Sequence, residues 1–236
     1  MYLFPVSRHV ISMGHGYNHE TPTYEKPFRS ISAPLPVKVH DLWFAFHDYL
    51  TQRGLDSKLA DENAWYPSCR AGDSHGRIVI PCSTSSGKVY WQARAINTSV
   101  TPRYQSPYTS REDAIVLVFP NKGTYDALQG YTRKVIITEG PLDALAVAGE
   151  GYTGVGLMGN KPPKIVLQRL VRMFKDSEQE LFLFADSDAL GEMSQVMIKL
   201  SKDGLRIKLI SAPGHKDAAS IPMPQRKKIL EKLTIS

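Results

Sequence analysis

Cysteine is scarce: Cys69 and Cys82 are the only two in 236 residues, and no C-x-x-C occurs. That argues against a disulfide-stapled scaffold and makes the cytoplasm the expected compartment. Long apolar runs are missing too. Segments such as "AIVLVF" fall far short of the ~20 residues that cross a bilayer, and the first residues lack the basic-then-apolar pattern of a secretion signal. No membrane partner is expected. The chain has no G-x-x-x-x-G-K-[ST] loop, no internal repeat and no low-complexity tract. His9, His15 and His19, taken with Cys69, match no zinc spacing and read as polar loop residues. Acidic residues fall short of basic ones, 23 against 29, a net charge of +6. This surplus is compatible with a polyanionic partner without requiring one.

The first 37 residues hold five prolines and little periodicity, as expected of extended or irregular chain. In "VKVHDLWFAFHDYLTQRG", Leu42, Phe46 and Tyr49 fall at helical spacing, and Gly54 can stop the helix. Residues 55–76 are polar and punctuated. "GRIVIP" and "KVYWQARAI" read as two strands joined by a Ser/Gly turn, and "AIVLVF" at 114–119 as a third. From residue 134 the rhythm changes to strand and helix in alternation: "KVIIT", "PLDALAVAG", "TGVGLMG", "PPKIVLQRLVRMF", "LFLFA", "ALGEMSQVMIKLSKDG", "RIKLI" and "PMPQRKKILEKL". Alternation of this kind predicts a parallel sheet with right-handed crossovers. "LFLFA" is apolar on both faces, as in a covered strand, whereas "RIKLI" alternates and belongs at or near a sheet edge.

Acidic residues gather where these strands end. Glu139 follows "VIIT", Asp186 and Asp188 follow "LFLF", and Asp217 comes shortly after "RIKLI". Asp143, on the first turn of the next helix, can lean over the same crevice. In open parallel α/β sheets ligands sit outside the carboxyl ends of the strands. In an extended segment Asp186 and Asp188 point to the same side. With Glu139 they form a like-charge cluster that is costly unless a cation neutralises it. Hard oxygen donors with room for water suit Mg²⁺ or Mn²⁺ rather than zinc. Taken singly, Asp188 before "ALGEM" reads as a helix N-cap, and Asp143 as a carboxylate favoured near a helix N-terminus. E-G-x-x-D at Glu139 and D-x-D at Asp186 together, each after an apolar strand, are much more specific than either alone.

"IITEGPLDALA", "LFLFADSDALGE" and "HKDAAS" resemble the Toprim domain shared by primases, topoisomerases and some nucleases. "GRIVIPCSTSSGKVYWQARAI" followed by "RYQSP" is similar to the segment that precedes Toprim in DnaG-type and phage primases. The resemblance covers roughly residues 65–220. It implies an α/β fold, a Toprim-type parallel sheet flanked by helices, preceded by a smaller mixed α+β subdomain. The implied segments are 1–75 (mixed α/β), 76–133 (basic and β-rich), 134–220 (Toprim) and 221–236 (a C-terminal helix). It further implies catalysis by Glu139, Asp186 and Asp188 with divalent metal, Asp143 and Asp217 contributing as ligands, and a tight turn at Gly140. Gly214 and Ala219 stand where the family often has further aspartates.

Between Arg77 and Lys134 the chain carries Arg77, Lys88, Arg94, Arg103, Arg111, Lys122, Arg133 and Lys134 against three acids, interleaved with Tyr90, Trp91, Tyr104 and Tyr108. Arginines for phosphate and rings for base stacking are the usual equipment for single strands. Trp91 reads equally well as core. By the resemblance, Arg77, Arg94 and Arg103 would bind template or triphosphate, and Lys161 would reach phosphate. The expected activity is synthesis of short RNA primers from ribonucleoside triphosphates on a single-stranded DNA template by two-metal nucleotidyl transfer, in phage or mobile-element replication. A cysteine-rich zinc domain and a helicase motor are not seen, which leaves room for a replicative helicase and a separate zinc-bearing protein as partners. A metal-dependent Toprim nuclease and a non-catalytic single-strand-binding replisome module are the alternatives; a topoisomerase's tyrosine-bearing domains would not fit in this length.

Overall fold

A computed structural model describes residues 40–68, 76–107, 109–120, 131–212 and 214–233. The first 37 residues, read from sequence as extended or irregular, the three early histidines, Cys69, Tyr108 and Lys122 lie outside that range. Helix α1 (His40–Gln52) turns Phe46 and Leu50 into the core and stops at Gly54, whose φ of +66° favours glycine. A short helix α2 (Ser57–Glu62) follows, in a stretch whose apolar periodicity is too brief to read from sequence; Asp56 caps it by accepting the Leu59 N–H.

Four strands then form an antiparallel sheet: β1 (Tyr66–Ser68), β2 (Arg77–Cys82), β3 (Tyr90–Ala95) and β4 (Tyr104–Gln105), in that order. The β2–β3 hairpin runs from Arg77 opposite Ala95 to Cys82 opposite Tyr90. The two-residue period of a strand divides its side chains. Ile78 and Ile80 join the core with α1 and α2, while Val79 packs with Trp91 and Ala93 behind.

The second sheet has five strands in the order β5-β7-β6-β8-β9: β5 (Val116–Val118), β6 (Lys134–Thr138), β7 (Thr153–Gly156), β8 (Glu180–Phe184) and β9 (Ile207–Ile210). Strands β6 to β9 are mutually parallel, and β5 is antiparallel to β7. Between them run α3 (Pro141–Ala148), α4 (Lys164–Phe174) and α5 (Leu190–Lys202), and α6 (Met223–Glu231) follows. Val135, Ile137, Leu181 and Leu183 face α4 and α5, and the alternate residues Ile136, Phe182 and Phe184 pack with Val147 and Leu230 on the other face. "RIKLI" holds the edge, as its alternation predicts. Sheet pairing crosses the segment boundaries drawn from the resemblance. Strand β1 pairs with the basic β-rich segment, and β5 leaves that segment to extend the parallel sheet. The buried Arg169 of α4 ties the two sheets together by donating to the Ser83 and Asp113 carbonyls and to the Ser83 hydroxyl.

Helix α3 leads from β6 to β7 on one side, whereas α5 leads from β8 to β9 on the other. The chain therefore diverges at the carboxyl ends of β6 and β8, the switch point at which such sheets open a crevice. Glycines let α3 lie close to the sheet. A Cβ at Gly154 would stand 2.1 Å from the Ala144 carbonyl oxygen, and one at Gly156 would stand 3.1 Å from that of Gly140. Gly154→Ala should accordingly destabilise the protein by about 3 kcal/mol, because the obstacle is helix backbone. Gly191→Ala, where a Cβ meets nothing within 4 Å, should be stabilising by about 0.5 kcal/mol. Urea midpoints of the two variants check the contrast.

Candidate active site

A pocket of about 410 Å³ opens at that switch point, lined by four carboxylates and four cations: Glu139, Asp143, Asp186 and Asp217, with Arg53, Arg94, Arg103 and Lys216. Glu139 is the first residue after β6. Its carboxylate accepts a 3.4 Å hydrogen bond from the Asp186 N–H, so the two strand ends are joined through the acid itself. Its own carbonyl accepts from the Gly159 N–H at 2.9 Å. Asp143 is buried beneath, accepting from the Ala219 N–H at 2.9 Å. Asp217 opens the 3-10 turn Ala218–Ser220, accepting the Ser220 N–H while the Ser220 hydroxyl accepts the Asp217 N–H.

These acids raise one another. Burial lifts Glu139 above the ordinary range against the Asp186 hydrogen bond, and Asp188, Glu192 and Asp217 add to the rise. Burial, then Asp217, raises Asp143 to about 7. Burial, then the charges of Asp143 and Glu139, raises Asp186 to about 8. Such a site resists full ionisation without a counter-cation. Among the described residues no three Asp, Glu, His or Cys groups close into a ready-made metal cage. The donor set nonetheless has the chemistry of a Mg²⁺ or Mn²⁺ site, because Mg²⁺ keeps several waters and is usually held by only one or two carboxylates.

Several sequence expectations change here. Asp188 does not share the pocket with Asp186. The Ala189 N–H donates to the Asp186 carbonyl at 3.0 Å, closing a turn where an extended segment was expected, and Asp188 points to solvent 3.9 Å from Lys216. Nor is Asp188 a helix cap: Ala189 holds that position with no side-chain bond. Gly140 has an ordinary φ of −111°, and a Cβ there would lie 2.8 Å from Asp143 Oδ2, so a larger residue would have to displace that carboxylate. Arg77 is buried and donates to the Pro102 carbonyl, so it braces the loop before β4 and does not line the pocket. Lys161 is exposed, 4.0 Å from Glu192, and does not line the pocket.

Arg94 and Arg103 do line the pocket, with Tyr104. Arg94 is buried, donating to the hydroxyls of Tyr49 at 2.5 Å and Tyr104 at 2.6 Å. Other cations of the basic segment serve the fold. Lys88 pairs with Glu112, Arg133 with Glu180, and Arg111 donates to the Leu157 and Met158 carbonyls. Arg111 thereby clamps a turn in which Met158 has a φ of +58°, a strained value for a residue with a Cβ. Trp91 is core. Burial pushes the Cys82 thiol up to about 12, which leaves it inert as a nucleophile. Arg53 and Lys216 escaped the sequence reading. Lys216 adjoins Asp217 and was within reach of motif inspection, but Arg53 carries no local signal.

The raised carboxylates set the sign of a pH effect. Asp143 and Asp186 bind protons in the folded state up to about 7 and about 8, against 3.8 unfolded. Between those limits the folded state holds more protons, so their destabilising contribution grows as pH rises and is absent below 3.8. Without metal, wild-type Tm should fall between pH 6 and pH 8.5 relative to Asp186→Asn. At pH 8.5 added Mg²⁺ should raise the Tm of wild type more than that of the variant. Differential scanning calorimetry at low salt reads both differences.

Residues 136–221 match the family described as Toprim-like. The sequence matches no curated protein. The fold resembles the primase fragment of the bacteriophage T7 primase-helicase protein at a TM-score of 0.58 and 18% identity, over 78% of this chain and 72% of that one. It also resembles a chain in the structure of the bacteriophage T7 lagging-strand DNA polymerase with primase domains of two gp4 subunits bound to an RNA/DNA hybrid and dTTP. There the TM-score is 0.57 and the identity 17%, over 77% of this chain and 88% of that one. With its acidic strand ends gathered at the switch point of the sheet, this chain is similar to the Toprim-like family over residues 136–221 and shares its fold with phage primase fragments.

Proposed function

We propose that the protein is a primase that joins ribonucleotides on a single-stranded DNA template by metal-dependent nucleotidyl transfer, in the replication of a phage or mobile element. One observation carries the reading: carboxylates just after β6, on α3, just after β8 and at the start of the 3-10 turn line one pocket with Arg94 of β3 and Arg103 just before β4. Acids of this kind hold cations, and arginines hold phosphate oxygens. A site with both suits a nucleoside triphosphate arriving with its metal.

Glu139 and Asp186 would hold divalent metal, supported by Asp143 and Asp217. Asp188, at the mouth, contributes charge that raises both Glu139 and Asp186. Bound Mg²⁺ or Mn²⁺ supplies a lowered hydroxyl pKa at the attacking end and neutralises charge on the departing pyrophosphate. Arg94, Arg103 and Lys216 hold the phosphates in line. Asp143, fixed by the Ala219 N–H, keeps the 3-10 turn seated so that Asp217 stays on the pocket wall. Catalysis is then chiefly positioning and electrostatics. A replicative helicase, a separate zinc-bearing protein and the host cytoplasm belong to the same proposal. Among the described residues no helix is long and apolar enough to cross a membrane.

The test is incubation with a single-stranded template, labelled ribonucleotides and Mg²⁺. Short RNA products should appear, and Glu139→Gln should reduce them at least ~100-fold, the scale of losing one electrostatic contact in a pre-organised site. Shortened template without new strands would identify a nuclease instead. Template binding with neither outcome would identify a non-catalytic binding module.

A further inference from the structure

We propose that Arg111, which does not line the pocket, is a positioning residue for Glu139: it holds the turn after β7 that fixes the backbone at the end of β6. The inference rests on the reading of Glu139 as a metal ligand and carries it outward to the loop before β5. Strand β5 pairs with β7 only from Val118 opposite Gly154 to Val116 opposite Gly156. The preceding residue, Ile115, bridges to Ser83 instead, exchanging two backbone bonds with it. Strand β7 therefore leaves its antiparallel partner at Gly156. Just beyond, the carbonyls of Leu157 and Met158 accept from the Arg111 guanidinium, that of Met158 at 3.3 Å. On its other side the same turn reaches β6. The Leu157 N–H donates to the Thr138 carbonyl and the Gly159 N–H to the Glu139 carbonyl, both at 2.9 Å.

The turn needs a brace. Met158 and Gly159 follow one another at φ of +58° and +130°. Glycine adopts such a backbone freely, whereas Met158 carries a Cβ and is strained. Its side chain is nonetheless kept: it lines the pocket, and its sulfur accepts from the Cys82 thiol at 3.5 Å. Relaxing Met158 to a negative φ would swing the next peptide unit and take the Gly159 N–H away from Glu139. Charge pairing does not explain Arg111. Among the described residues it forms no ion pair with a carboxylate. Its Nε is buried and has no hydrogen-bond partner among them. Burial lowers the guanidinium below its ordinary range, against the influence of Tyr90 and Cys82. A cation desolvated in this way, with two successive carbonyls of one strained turn as its acceptors, holds that turn in register with Glu139. Groups that orient a metal ligand matter to the metal nearly as much as the ligand does.

The test is hydrogen exchange at the Gly159 amide of the full chain, read by NMR, with Mn²⁺ binding followed separately by electron paramagnetic resonance. Arg111→Met should speed exchange at Gly159 about tenfold, the scale of one lost hydrogen bond to a charged group, while the amides of α5 keep wild-type protection. It should weaken Mn²⁺ binding about tenfold, as loss of a ligand's outer support does. Arg111→Lys, which keeps the charge and can still reach one carbonyl, should show about threefold changes. Met158→Gly removes the strain, so adding Arg111→Met to it should change either readout by no more than about twofold. Wild-type exchange at Gly159 in Arg111→Met, or in Arg111→Lys should the first variant fail to fold, would overturn the proposal. So would equal acceleration at Gly159 and in α5, or a loss of Mn²⁺ binding that Met158→Gly leaves undiminished, since both mark a structural role. Wild-type Mn²⁺ binding that survives Glu139→Gln would reject the metal reading alone, with exchange at Gly159 still deciding the role of Arg111. Unchanged Mn²⁺ affinity in Arg111→Met, where Glu139→Gln does weaken it, would reject this inference alone.

Discussion

The mutual repulsion of four carboxylates in one pocket is the constraint around which the structure is organised. Glu139, Asp143, Asp186 and Asp217 come from four separate elements, and the fold gives up stability to keep them together. Backbone donors hold them in place. The Asp186 N–H reaches Glu139, the Ala219 N–H reaches Asp143, and the Ser220 N–H reaches Asp217. None of these bonds neutralises a full charge, so the carboxylates continue to raise one another. A surface pair such as Lys88 and Glu112 shows the opposite economy, each charge met by its partner and available for nothing else.

Arginines divide by the same logic. Arg77, Arg111, Arg169 and Arg226 donate to carbonyls and bind loops or elements together. They are structural fasteners, several of them buried, and Arg169 and Arg226 join parts of the chain far apart in sequence. Arg53 and Arg94 meet aromatic rings instead. A guanidinium suits both tasks, so composition does not separate them. What separates them is place: of these six arginines, only Arg53 and Arg94 line the pocket.

The carboxylates at the strand ends were legible because they break a pattern. "VII" and "LFLF" are apolar without interruption, and acids closely following such strands have no place in a core. The edge position of "RIKLI" was legible from its alternation. Strand β5 was recognisable as a strand but not in its destination, since a short apolar run carries no sign of direction or sheet partner. Asp188 was misplaced because D-x-D was taken as extended, whereas the chain turns between Asp186 and Ala189. Gly140, expected to permit a tight turn, has an ordinary backbone, and a Cβ there would crowd the Asp143 carboxylate.

Periodicity and punctuation were therefore sufficient to identify the alternating α/β class and the acidic residues of the pocket, because each depends on neighbours within a few positions. The tertiary structure alone decided which cations face those acids. Arg53 and Arg94 meet at Tyr49 across more than forty residues, and Arg77 turns away from the pocket although it opens the same hairpin as Arg94. Strand register and the packing of α1 set those outcomes, and neither is encoded at the residues they concern.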